Sequence, residues 1–208
     1  ALGRRVVVGR NRSVHFDGRI EAGKFVFFVT GCDFSYENFS FEMPNIRKLY
    51  FAVENFNDPD SLHPVMTPLS NLVGSLRVDP LDHPCGLGKN KEFPIFARRE
   101  NSYVYYDQKN IRGGQYTKDK FYYTLHPFTL NNLVDFVTDS LQFNGVLTSA
   151  GIFPDITYPL TVQHDYYLGF RTETPAAGYP AYGGKGTYHN AISLDHYGLQ
   201  GEGGLDYL

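Results

Sequence analysis

Two-residue alternation of aromatic side chains is the feature that most limits the folds open to this sequence. From Phe34 to Val53 (FSYENFSFEMPNIRKLYFAV) the apolar residues fall mainly on every second position, as on one face of a β-strand. The 208 residues include 17 phenylalanines and 16 tyrosines but no tryptophan, and such side chains favour a pleated surface over a helix. Twenty-one glycines and 12 prolines interrupt long helices. The sequence therefore predicts an all-β protein.

Turn chemistry divides this pattern into short units. Asp17-Gly18 and Ala22-Gly23 predict hairpin turns, because such dipeptides between alternating segments suit tight turns. Asx and proline residues predict a loop over 55–64, and three prolines with two glycines predict a long surface connection over 79–94. In the glycine-rich part, 169–208, 9 of 40 residues are glycine, which predicts loops and short strands.

The apolar positions of the predicted strands define a candidate core. Its members are Phe25, Phe27, Phe34, Phe41, Ile46, Phe51, Tyr105, Phe121, Tyr123, Leu125, Phe143, Leu147 and Phe153. The string VHFDGRI from Val14 returns as LQFNGVL from Leu141, which indicates similar β-hairpin units without a fixed period. The expected architecture is a β-solenoid or an extended, stacked antiparallel sheet, and a compact β-sandwich is the alternative.

Both ends of the sequence suggest that it belongs to a longer polypeptide. It starts abruptly at Ala1, and the final Leu205-Asp206-Tyr207-Leu208 looks like half a strand. We therefore expect residues 1–208 to be a single β-rich segment whose exposed strand edges make the isolated chain associate or leave it marginally stable.

Charge argues against nucleic-acid binding, and hydropathy argues against a membrane-spanning helix. Nineteen basic and 22 acidic residues give a net charge of −3, which excludes the broad cationic surface that nucleic-acid binding requires. The sequence has no apolar run near the roughly 18 residues of a membrane helix, so no transmembrane span is expected.

Motifs for catalysis and metal binding are incomplete. The sequence lacks a G-x-S-x-G motif, and the phosphate-loop-like string 178–187 has Gly186 between Lys185 and Thr187. Seven histidines are scattered without ligand spacing, and the acidic loop around Asp58 lacks the calcium-loop pattern. We therefore expect no catalytic residue, no metal and no cofactor. Asp17 and Glu21 remain an open possibility as paired hydrolase carboxylates.

The tyrosines are the most plausible recognition residues. The candidates are Tyr103, Tyr105, Tyr106, Tyr122, Tyr166 and Tyr167. Their rings and hydroxyl groups suit stacking on sugars or contact with proteins. Because neighbouring strand residues face opposite sides, each Tyr-Tyr pair should bury one ring and expose the other.

The two cysteines, Cys32 and Cys85, leave two readings open. They either form a disulfide in an oxidising compartment or remain two separately buried thiols, and their spacing does not match a metal-type pair.

Several longer strings carry a family resemblance. They are DGRIEAGKF with the FSYENFSFEMPNI run after it, FPIFARRENSYVYYDQKNIRGGQYTKDKFYY, LQFNGVLTSAGIFPD and the C-terminal DYYLGFRTETPAAGYPAYGGKGTYHNAISLDHYGLQGEGGLDYL. Together they resemble a segment of large β-rich envelope or surface proteins of Gram-negative bacteria and, more distantly, the AsmA/TamB-like bridge proteins. The resemblance implies an elongated extracytoplasmic protein, located in the periplasm, at the outer membrane surface or secreted. The implied partners are other segments of the same long chain or envelope proteins.

The functional hypothesis follows from these observations. The chain is expected to be a non-enzymatic structural or interaction segment of such an envelope protein. One alternative is a carbohydrate-binding module that uses exposed tyrosines. A second alternative, which the AsmA/TamB-like resemblance implies, is a lipid-binding groove of a bridge-like transport protein.

Overall fold

The chain folds as an all-β protein, which confirms the predicted fold class at that level. The computed structural model describes residues 6–80 and 91–207, so most of the predicted connection 79–94 and Cys85 lie outside the described residues. In the described residues the strands are β1 (Val6–Val8), β2 (Val14–Ala22), β3 (Phe25–Ser35), β4 (Ser40–Asn55), β5 (Asp58–Pro64), β6 (Leu69–Arg77), β7 (Ile95–Arg98), β8 (Ser102–Tyr105), β9 (Phe121–Leu125), β10 (Phe128–Leu130), β11 (Gly145–Ser149), β12 (Thr161–Val162), β13 (Leu168–Glu173), β14 (Tyr179–Ala181), β15 (Gly186–Asp195) and β16 (Gly198–Tyr207). Helical structure in these residues consists of two single 3₁₀ turns, Arg112–Gly114 and Thr138–Ser140.

The chain, predicted as one segment, divides into two compact units. The first unit combines Ala1–Ser102 with Pro127–Ser140, and the second combines Tyr103–His126 with Leu141–Leu208. Each unit is therefore built from two stretches of sequence.

The first unit is an eight-stranded antiparallel sheet. Its strand order is β1-β2-β3-β4-β6-β7-β10, and β5 pairs with one end of the long strand β4. Its core consists of side chains of the central strands whose exposed fraction is at most 1%: Phe25, Phe27, Val29, Met43, Ile46, Leu49, Leu69, Leu72 and Phe96. Burying each large side chain contributes about 1.5–3 kcal/mol to the stability of the sheet. This contribution offsets the loss of backbone entropy on folding.

The Asp17-Gly18 prediction of a hairpin turn is wrong. Strand β2 runs through these residues, and the pairing with β3 shifts register between Phe16 and Gly18 as a β-bulge. Asp17 instead accepts a hydrogen bond of 2.7 Å from the backbone N–H of Gly31. The chain turns at Gly23, close to the predicted Ala22-Gly23 turn.

Strand β5 corrects the prediction that residues 55–64 form a loop. The strand includes Pro59 and Pro64 but lies at an edge, where a missing N–H interrupts no second ladder. The asparagine and proline content is therefore compatible with a strand in this position.

A half-exposed aromatic cluster at the end of the β3–β4 hairpin corrects the core prediction. Phe34 and Phe41, both expected in the core, are only half-buried, with ring centroids 4.7 Å apart. Phe34 also contacts Phe39 at 5.7 Å, and Arg12 lies 4.9 Å from the ring centroid of Tyr36. The face of the sheet that forms the core continues into this turn. Other residues pack over that face only partly here, so the two rings stay half-exposed.

The second unit contains two antiparallel sheets. One has the order β11-β9-β8, and the other has the order β12-β13-β15-β14 with β16 on the other side of β15. Their buried side chains include Phe121, Tyr123, Leu125, Phe143, Leu147, Phe170, Ile192 and Leu194. Phe153 is half-buried, in contrast to the prediction, and its ring packs 5.3 Å from that of Tyr188.

The prediction of loops and short strands over 169–208 is wrong for the last part of the chain. Strands β15 and β16 each have ten residues and pair along their whole length without a register shift. Their glycines suit close approach: a Cβ at Gly203 would lie 1.9 Å from the carbonyl oxygen of His189. Glycine therefore marks tight strand packing here and not a break in the strand.

Candidate functional site

Three of the six predicted tyrosines lie together on the solvent side of the β11-β9-β8 sheet. Tyr103 and Tyr105 are two residues apart on β8, and Tyr122 lies on the neighbouring strand β9. The ring centroids of Tyr103 and Tyr105 are 6.1 Å apart with planes 28° apart. The ring of Tyr103 meets that of Tyr122 edge to face at 5.5 Å. These three residues form one aromatic surface.

Lysine and aspartate side chains adjoin these rings. The Nζ atom of Lys118 lies 5.2 Å from the centroid of the Tyr105 ring, within the range of a cation–π contact. The same Nζ atom lies 3.5 Å from Oδ2 of Asp107. We define the tyrosine face as Tyr103, Tyr105, Tyr122 and Lys118.

The opposite side of the same sheet is buried and fixes the position of the tyrosine face. On β9 the burial alternates, with Phe121, Tyr123 and Leu125 inside and Tyr122 half-exposed. The hydroxyl oxygen of Tyr123 lies 3.0 Å from the carbonyl oxygen of Phe143 and 2.7 Å from that of Tyr158, and these two acceptors share its single proton. Burial raises the pKa of Tyr123, so this hydroxyl group stays protonated and remains a donor.

A glycine permits the close approach of β11 to β9. A Cβ at Gly145 would lie 2.0 Å from the carbonyl oxygen of Thr124 and 2.5 Å from the ring of Tyr123. Real Cβ atoms do not approach other atoms so closely, so the register between Gly145 and Leu125 requires glycine.

Tyr106 is not part of this surface, which corrects its prediction as a binding residue. Its side chain is only 2% exposed, and its ring packs edge to face on Phe121 at 5.9 Å. Within the described residues its hydroxyl group has no hydrogen-bond partner, and burial raises its pKa. As expected, one ring of each pair is buried and the other is not, for Tyr105 with Tyr106 and for Tyr122 with Tyr123. The core prediction for Tyr105 is wrong, because the buried ring of its pair is that of Tyr106.

Tyr166 and Tyr167 lie elsewhere, in the turn between β12 and β13. Both are half-buried, so the expected division of this pair is wrong, because a turn lacks the two-sided alternation of a strand. Tyr166 has a positive φ of 62°, and the backbone N–H of Tyr167 donates to Asp165 at 3.0 Å.

An aspartate–histidine pair beside Tyr167 was not predicted. The Nδ1–H of His196, in the turn between β15 and β16, donates to the Oδ2 atom of Asp165. The His196 ring lies 3.7 Å from that of Tyr197 and 5.2 Å from that of Tyr167. Because the pair joins residues 31 positions apart, spacing along the chain gave no signal for it. The pair connects two turns at one end of the second unit.

A half-buried ion pair in the first unit was also missed. The Nζ atom of Lys24 donates to Glu54 and, at 2.7 Å, to the carbonyl oxygen of Phe136. Glu54 also accepts from the hydroxyl group of Thr138. These side-chain hydrogen bonds, from Lys24 and then Thr138, lower the pKa of Glu54 to about 2. The arrangement attaches residues 131–138 to the sheet.

An open cavity of about 270 Å³ lies beside this attached segment. Its lining comes from one stretch of the chain, Thr129–Asn132 with Asp135–Val137. Asn132 accepts a hydrogen bond of 3.0 Å from the backbone N–H of Asp135, so part of its polar lining is already paired.

The cysteine prediction lies partly outside the described residues. Cys32 is fully buried on β3 opposite Phe16. Cys85 lies outside the described residues. Burial, with smaller contributions from Asp33 and Glu42, raises the pKa of Cys32 to about 12. The thiol of Cys32 is therefore protonated and unreactive at neutral pH.

Within residues 6–80 and 91–207, no group of three or more His, Cys, Asp or Glu side chains is placed to hold a metal ion. In the same residues, each helix is too short or too polar to cross a bilayer.

Comparisons with protein-family models, with curated proteins and with solved structures gave no match to this chain.

Proposed function

We propose that this chain is a non-enzymatic interaction segment of a large bacterial envelope or surface protein, with the tyrosine face as its contact surface. The observation that carries the proposal is the placement of Tyr103, Tyr105 and Tyr122 on one solvent-facing side of a small sheet. Tyrosine provides a large contact area at a low entropy cost and is enriched in interfaces. The partners in this proposal are other segments of the same long chain or envelope proteins.

The buried side chains behind the surface support this role. The Tyr103 side chain is 44% exposed, while the neighbouring side chains on the other side of the sheet are fully buried. A surface that is fixed before binding loses little entropy when a partner docks. The extracytoplasmic location and the extended or solenoid-like stacking of sheets belong to the same proposal, and the resemblance in sequence supports them.

Site-specific photo-crosslinking tests the proposal. A photoreactive phenylalanine analogue at position 103 of the chain, produced in the native envelope, should crosslink to an envelope protein or to another segment of its own chain. The same analogue at Tyr182, which is 53% exposed but outside the tyrosine face, is the matched control. Equal crosslinking at both positions, or products containing only cytosolic proteins, would contradict the proposal.

Carbohydrate binding is the second candidate function. The nearly parallel rings of Tyr103 and Tyr105, with the Lys118 ammonium group close by, provide aromatic and polar contacts of the kind that sugars use. Titration calorimetry with peptidoglycan fragments and lipopolysaccharide glycans should show binding that Y103A abolishes and Y182A preserves. An absence of heat with all of these glycans would remove this candidate.

Burial in the first unit bears on the lipid-groove alternative. An open apolar groove would leave its lining exposed, yet Phe25, Phe27 and Phe96 on the core face are 0% exposed. A filled interior favours the interaction segment over lipid binding.

A further inference from the structure

The outer edge of β16 is the longest unprotected strand edge of the described structure. All ten residues, Gly198–Tyr207, pair with β15 in continuous register. Among the described residues no strand pairs with its other edge. Since strand residues direct their backbone groups alternately to the two sides, about half of the N–H and C=O groups of β16 face outwards.

The other edge strands of the described structure are protected. Most are short, with two to five residues: β1, β8, β10, β11, β12 and β14. The longer edge strand β5 carries Pro59 and Pro64, which block strand addition. Strand β16 has no proline, no lysine or arginine and no bulge. Natural proteins use those devices to prevent edge-to-edge pairing, so their absence singles out this strand.

Side chains of β16 leave the edge accessible on both faces. Four of its ten residues are glycine. Its two acidic residues already have partners in the same sheet: the Oε2 atom of Glu202 lies 2.7 Å from Arg171, and the Oδ2 atom of Asp206 lies 3.6 Å from His189. The side chain of Tyr207 at the end of the strand is 77% exposed.

We propose that two copies of this chain associate by antiparallel pairing of their β16 strands, centred on Gly203. A two-fold axis through this position places Gly203 opposite its own copy, and it aligns the core faces of the two sheets. Glu202 then faces Gly204 of the second copy, and Asp206 faces Gln200. On the core face, Leu205 lies opposite Gly201 of the second copy and Tyr207 opposite Leu199.

Charge selects this register over its two nearest alternatives. Centring the pairing on Glu202 places two Glu202 carboxylates directly opposite each other. Centring it on Gly204 places Glu202 opposite Asp206. Like charges directly opposite each other destabilise a strand pair, whereas the Gly203 register has none.

Position 204 offers a test with variants of opposite sign. A Cβ at Gly204 would have no atom within 4 Å, so the chain accommodates a side chain there. In the proposed dimer, residue 204 of each copy faces Glu202 of the other. G204E should therefore raise the dimer dissociation constant about tenfold, since two repulsive pairs form per dimer. G204K should lower the dissociation constant, because the same two pairs become attractive.

Sedimentation equilibrium of the 208-residue chain measures these constants. A176E introduces the same charge as G204E in an exposed loop of the same unit and should leave the dissociation constant unchanged. Circular dichroism checks the fold of each variant. If G204E fails to fold, the G204K variant tests the proposal by itself. A G204K dimer dissociation constant equal to that of the wild type would contradict the proposal.

Three further results would overturn the proposal. They are a wild-type chain that remains monomeric from micromolar to millimolar concentration, an equal shift for G204E and G204K, and an effect of A176E as large as that of G204E.

Discussion

At the scale of single residues, the same tyrosine-to-phenylalanine substitution should have different effects on stability at two buried positions, Tyr123 and Tyr106. Y123F removes a hydroxyl group that is hydrogen-bonded to one buried and one part-buried carbonyl oxygen, and we expect a loss of about 1–3 kcal/mol in the free energy of unfolding. Y106F removes a buried hydroxyl group without a partner in the described residues, so it should be neutral or stabilising. Urea denaturation of both variants measures the difference. Equal destabilisation by Y106F and Y123F would show that the Tyr123 hydrogen bonds contribute little.

Glu54 provides a second prediction at this scale, on how the free energy of unfolding changes as the pH falls. Its folded-state pKa of about 2 lies below the ordinary 4.5, so the stabilisation is complete above pH 4.5 and is lost as the pH falls towards 2. The Glu54 side chain is 35% exposed, and solvent screening reduces the contribution to about 1 kcal/mol. E54Q should therefore lower the free energy of unfolding at pH 7 and flatten its decline between pH 4.5 and 2.

A matched control for this prediction lies in the same unit. Glu21 forms an ion pair with Arg19 but is 61% exposed, so E21Q should change stability much less than E54Q. Denaturant titrations at several pH values give both curves. An E54Q curve parallel to that of the wild type would contradict the assigned role of Glu54.

At the scale of elements, Gly145 tests how the sheet behind the tyrosine face is held together. G145A places a methyl group against the backbone of β9 and should destabilise the chain by about 1–3 kcal/mol. G204A is the control, because its Cβ meets no atom within 4 Å, and replacing a strand glycine there should be neutral or slightly stabilising. Thermal unfolding of the two variants shows the contrast. Similar melting temperatures would mean that β11 adjusts without cost.

The sequence predicted some of these elements and missed others for physical reasons. Aromatic alternation identified β9 and the half-exposed Tyr122 because period two is a local property. The same signal misplaced Phe34 and Phe41, since alternation does not reveal where cover on a core face ends. Glycine content suggested loops over 169–208, whereas long-range strand contacts are what require glycine at Gly203.

The candidate site was predictable to a similar extent. The exposed tyrosines were identified from their positions on predicted strands, but their grouping depends on which strands become neighbours. Lys118 and the Asp165–His196 pair come from loops and turns, and loop positions follow from tertiary structure that residue spacing does not encode. The division into two units, each assembled from separate stretches, is likewise a property of the folded chain.

At the scale of the whole molecule, hydrogen exchange should separate protected strands from open edges. Amides of the central strands β3, β4 and β15 should exchange slowest, because both neighbours pair with them. The outward-facing amides of β16 should exchange fast in dilute solution and slow down as the protein concentration rises, since pairing between two copies would cover them. Strand β5 is the internal reference: its prolines prevent pairing, so its exchange should not depend on concentration. If β16 and β5 respond equally to concentration, the change reflects general aggregation and not an interface formed by β16.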